Sequence, residues 1–65
     1  MNGVMMEKDQ CLYLGDGVYL YYDGFGFELR ANDHKNPTDI IYLDCAVASV
    51  LVKNLEATLK LINPS

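Results

Sequence analysis

The sequence holds no tryptophan, one histidine, two prolines, two cysteines and only five Lys+Arg against nine Asp+Glu. Each scarcity excludes something. The net charge of -4 and a pI near 4.5 argue against a nucleic-acid partner, because affinity for phosphate backbones comes mostly from Lys and Arg. Cys11 and Cys45 stand far apart and form neither a disulfide framework nor a Cys-x2-Cys metal pair, so two free, buried thiols are expected. His34 alone in a polar stretch gives no zinc spacing. No apolar run approaches the ~18 residues that span a bilayer, and no basic region followed by an apolar stretch and a cleavage site marks the N-terminus. Asn36 and Asn63 each precede a proline, which disqualifies them as glycosylation acceptors. These absences point to a cytoplasmic chain that needs neither membrane, metal nor cofactor.

What is present is an apolar half of the chain, 51% of 65 residues, enough for one small domain with a thin core. Residues 1–10 mix Met, Gly and charge without a period and read as a flexible tail, leaving residues 11–63 as a single domain. From Cys11 short runs of Tyr, Val, Leu and Phe alternate with Gly15-Asp16-Gly17 and Asp23-Gly24, the signature of hairpins. A two-residue turn at Asp23-Gly24 would pair Tyr22 with Phe25, Leu20 with Phe27 and Val18 with Leu29 on one apolar face. A three-residue connection at Gly15-Asp16-Gly17 would set Leu14 beside Val18 and Leu12 beside Leu20. The reverse face would then carry Tyr13 with Tyr19, Tyr21 opposite Gly26, and Tyr19 opposite Glu28.

Residues 32–38 form a polar loop around Pro37, and a fourth strand is expected over 39–43. Asp44 suits the N-cap of a helix running from Cys45 to Ile62 and stopped by Asn63-Pro64. The expected fold class is therefore α+β, a four-stranded antiparallel β-meander with one C-terminal helix packed on one face. Along that helix the apolar side chains cover an arc of roughly 200°, about twice what packing on a single sheet requires. Either the strands wrap the helix or its surplus flank meets another subunit. Because a lone core of this size is marginal, a homodimer is favoured, with Val52, Leu55, Leu59 and Ile62 at the interface.

Motifs with chemical meaning mostly reduce to turns. Gly24-Phe25-Gly26-Phe27 is similar to the aromatic strand of RNA-recognition motifs, but Asp23 replaces the basic residue there and the first helix is missing. Neither Gly15-x-Gly17 nor Gly24-x-Gly26 has the third glycine of a dinucleotide site or opens a helix. The residues between Asp16 and Asp23 read as a strand rather than a calcium loop. Two thiols, one histidine and little volume for a cleft give no catalytic constellation, so no enzyme is expected. The reverse sheet face is different: Tyr13, Tyr19, Tyr21, Glu28 and Arg30, joined by Tyr42, gather residue types enriched at protein interfaces. The bland alternative is that Tyr21 covers Gly26 and the other rings stiffen a thin sheet.

The string Tyr13-Leu14-Gly15-Asp16-Gly17-Val18-Tyr19, then Asp23-Gly24-Phe25, Leu29, and Ile41-Tyr42-Leu43-Asp44 with Val47 and Leu51, resembles a family of small uncharacterised proteins encoded by bacteriophages and prophages. The resemblance covers roughly residues 13 to 55, and Cys45-Ala46 stand where members often carry Pro-Glu. It implies a phage origin and a host bacterial cytoplasm, and transfers no activity or catalytic residue. By analogy with small acidic phage proteins, it suggests a non-enzymatic inhibitor that binds a host bacterial defence or regulatory protein directly. Two alternatives stand beside it. One is a sponge for a nucleotide-derived immune signal, using Arg30, Lys35 and the tyrosines, and the other is a structural or regulatory accessory protein.

Overall fold

Asp16 and Gly17 set the first turn, both at positive φ (53° and 77°), the geometry a two-residue hairpin loop demands. The computed structural model describes residues 3–62, and the expected stop at Asn63-Pro64 lies outside them. Gly15 precedes the turn at a φ of 118°, and between Tyr13 and Gly15 the pairing slips by one residue, so Leu14 bulges. The turn thus joins β1 (Gln10–Gly15) to β2 (Val18–Tyr22) through two residues rather than the expected three. Gly15, not Leu14, lies beside Val18, while Leu12 opposes Leu20 and Tyr13 opposes Tyr19 as the pattern predicts.

The second turn corrects the expected register. Asp23 Oδ1 accepts the backbone N–H groups of both Phe25 and Gly26 at 2.7 Å, and the Asp23 N–H donates to the Gly26 carbonyl. This side-chain clamp widens the loop, so β3 (Gly26–Ala31) pairs two residues further on. Tyr22 opposes Phe27, Leu20 opposes Leu29 and Val18 opposes Ala31. Phe25 leaves the sheet and is 80% exposed instead of facing the core. A slip of two keeps every side chain on its own face, since the pleat repeats every two residues.

The loop after β3 closes on Ala31, whose carbonyl accepts from Asp33 and Thr38 and whose N–H donates to Asp39. Asn32, at a φ of 74°, donates its N–H to the Gly17 carbonyl and ties this loop to the first turn. β4 (Ile40–Asp44) begins one residue later than expected and completes a single sheet in the order β1-β2-β3-β4, all antiparallel. α1 runs over Cys45–Ile62, and Asp44 Oδ1 accepts the Val47 N–H at 2.8 Å, the N-cap bond. The architecture is the α+β meander with one C-terminal helix.

The helix contacts β3 and β4, and its residues Ala48, Leu51, Val52 and Leu55 form one wall of an open apolar cleft of about 230 Å³ against Leu20, Phe27, Leu29 and Leu43. The strands do not wrap it. No hydrophobic side chain among the described residues is buried, and Gly26 is the one buried residue of any kind. Both cysteines are free, but neither is buried: Cys11 is half-exposed, and Cys45, at the helix start, is exposed with its thiol donating to the Phe25 carbonyl at 3.2 Å.

Candidate protein-binding face

The face of the sheet turned away from α1 is assembled by alternation. Odd positions of β1 and β2 place Tyr13, Tyr19 and Tyr21 on it, and even positions of β3 and β4 place Glu28, Arg30, Ile40 and Tyr42 there. The six residues expected to bind a partner, Tyr13, Tyr19, Tyr21, Glu28, Arg30 and Tyr42, therefore share one surface. The register slip changes their cross-strand partners: Tyr21 opposes Glu28 rather than Gly26, and Tyr19 opposes Arg30 rather than Glu28.

Arg30 is the centre of this face. Its guanidinium carbon lies 4.0 Å from the centroid of the Tyr21 ring, its Nε donates to Glu28 Oε1 at 2.9 Å, and its Nη1 donates to the His34 carbonyl at 2.7 Å. The flanking Tyr21 hydroxyl donates to Asp9 Oδ1 at 2.6 Å. That bond, followed by partial removal from water, holds the Tyr21 pKa above its ordinary 10.0. A second aromatic row runs beside it, with Tyr13 and Tyr19 ring centroids 4.9 Å apart and the Tyr19 and His34 centroids 5.5 Å apart. The Tyr13 hydroxyl accepts the Gly17 N–H at 3.2 Å, so the row is anchored at the first turn.

Tyr42 occupies the opposite edge, facing Glu28 across the strands and 52% exposed. It is Tyr42, not Tyr21, that covers Gly26: a Cβ at that glycine would collide with the Tyr42 hydroxyl and ring, and would come 2.8 Å from the Leu43 carbonyl oxygen. Loss of water contact, then the negative charges of Asp23 and Asp44, raise the Tyr42 pKa above the ordinary value.

Two contributors escape sequence reasoning. Asp9 falls in the segment read as a flexible tail, yet its N–H donates to the Tyr22 carbonyl at 2.7 Å and its carboxylate reaches Tyr21. The one signal for it is that position 9 continues the odd-numbered series of 11 and 13. His34 reaches Tyr19 through the fold of the polar loop, for which the sequence carries no period. The four residues expected at a subunit interface, Val52, Leu55, Leu59 and Ile62, lie along α1 and are all exposed.

Chemically, the tyrosine face is an aromatic surface bearing the Arg30 guanidinium and two carboxylates, Asp9 and Glu28. Among the described residues, no three His, Cys, Asp or Glu side chains converge to hold a metal ion, and no helix is long and apolar enough to cross a membrane. These features define a small α+β domain with one aromatic sheet face. No family model matches the chain, and neither does any of the curated proteins or solved structures compared with it.

Proposed function

We propose that this chain is a non-enzymatic phage protein that acts in the host bacterial cytoplasm, binding a host defence or regulatory protein directly through the tyrosine face and so inhibiting it. The observation that carries this reading is the constraint on Arg30, held by Tyr21, Glu28 and the His34 carbonyl amid four tyrosines on one surface. Side chains fixed before binding lose little entropy on association, and tyrosine supplies wide contact area on few rotatable bonds. The carboxylates of Asp9 and Glu28 outnumber Arg30 on this face, in a chain of net charge -4, which suits a partner presenting Lys or Arg. Sequestration of an anionic nucleotide draws less support, because Arg30 commits its Nε and an Nη1 donor within the fold and its charge is already paired with Glu28.

The test is native mass spectrometry of the tagged protein from bacterial lysate beside a Tyr19→Ala, Tyr21→Ala, Arg30→Glu variant, with a phage-protection assay on both. The expected result is a retained host protein that the variant loses while keeping its circular dichroism spectrum. A folded variant that still retains the partner and still protects the phage sinks the tyrosine-face reading. A retained mass of a few hundred daltons in place of a protein would favour the nucleotide sponge.

A further inference from the structure

A folded monomer of 7.3 kDa exposes about 4,200 Å² of surface, whereas this chain exposes 5365 Å². Its radius of gyration is 12.6 Å, against about 11 Å for a compact domain of 65 residues. Among the described residues, half of the large hydrophobic side chains that stay exposed lie on α1. The cleft between α1 and the sheet is apolar and open, and past Leu55 the helix continues with Leu59 54%, Leu61 85% and Ile62 74% exposed. The surplus of about 1,200 Å² exceeds the roughly 800 Å² that each partner buries in a standard-sized interface.

We infer that a second copy of this chain closes the cleft, the α1 helices of the two copies packing against each other between the apolar faces of their sheets. The cover must be present whenever the chain folds, because without it no hydrophobic side chain among the described residues is buried. The partner always made in equal amount is the chain itself, and a twofold pair presents the same patch from both sides. The charged side chains of α1, Lys53, Glu56 and Lys60, are few, so two such helices meet with little charge to desolvate. The arrangement leaves both tyrosine faces outward and is independent of what they bind.

The experiment is sedimentation equilibrium and thermal melting of the purified full chain over about a hundredfold range of concentration. The expected species has twice the 7.3 kDa chain mass, and its melting temperature rises with concentration. Leu59→Lys, on the exposed helix flank, is expected to weaken self-association at least tenfold, whereas Ile40→Lys, on the tyrosine face, leaves it unchanged. Should Leu59→Lys fail to fold, the concentration dependence of the wild-type melt still decides. A folded monomer with a concentration-independent melt overturns the inference. So does a dimer that Ile40→Lys dissociates and Leu59→Lys does not, which would place the contact on the tyrosine face. Folding only with a host protein attached overturns it as well.

Discussion

At the scale of single residues, Gly26 and Asp23 each meet a local demand, one of space and one of hydrogen bonding. Gly26 leaves the space into which Tyr42 folds, so Gly26→Ala is expected to destabilise the protein by about 1–3 kcal/mol through overpacking. In a Tyr42→Ala background the penalty should shrink without vanishing, since the Leu43 carbonyl remains in the way. Urea titration of the four chains checks it, and a Gly26→Ala effect within about 0.5 kcal/mol of zero would mean that Tyr42 is not seated there. Asp23 accepts from the Gly26 and Phe25 N–H groups, and these bonds hold its pKa below the ordinary 3.8. A carboxylate depressed in the folded state binds fewer protons than in the unfolded chain, so its contribution is whole above pH 3.8 and is lost as pH falls through the folded pKa. Asp33, lowered by the Lys35 N–H, acts with the same sign. Urea midpoints should therefore decline below about pH 4, and less steeply in Asp23→Asn, whose amide accepts the same bonds without titrating. Parallel acid limbs for the two proteins would count against the clamp.

At the scale of elements, the helix was the most legible part of the sequence and the second hairpin the least. Asp44 ahead of an apolar periodic run marks an N-cap, and α1 begins and is described to the residues that pattern predicts. Asp44→Ala is expected to remove about 1 kcal/mol of stability, with Asp44→Ser close to neutral, measured by chemical denaturation. Equal losses for both substitutions would show that the carboxylate acts by charge and not as a cap. The two Asp-Gly pairs look alike in sequence, yet Asp16-Gly17 makes the tight turn and Asp23-Gly24 does not. The difference lies in a side-chain bond, Asp23 Oδ1 to two backbone amides, that competes with the hairpin ladder and has no signature in hydrophobic alternation. The tyrosine face was nonetheless legible, because an even slip preserves faces while it changes neighbours. Asp9 and His34 were not, since both reach the face through irregular backbone that no period describes.

At the scale of the molecule, two surfaces on opposite sides of one sheet should answer to salt with opposite sign. Each copy carries a net charge of -4, so bringing two copies together works against their mutual repulsion, while the cleft between sheet and helix offers apolar contact almost free of charge. Raising ionic strength shortens the reach of that repulsion from ~30 Å at 0.01 M to ~8 Å at 0.15 M and leaves the apolar contact in place. Self-association is therefore expected to tighten across that range, read by sedimentation equilibrium. The proposed binding of a basic host protein to the Asp9, Glu28 and tyrosine surface would draw on attraction, and the same screening should slow its association and weaken it, read by titrating the retained partner at matched salt. Self-association that instead weakens with added salt would mean that the copies meet through ionic contacts, and the apolar cleft would then not be the surface that holds them together.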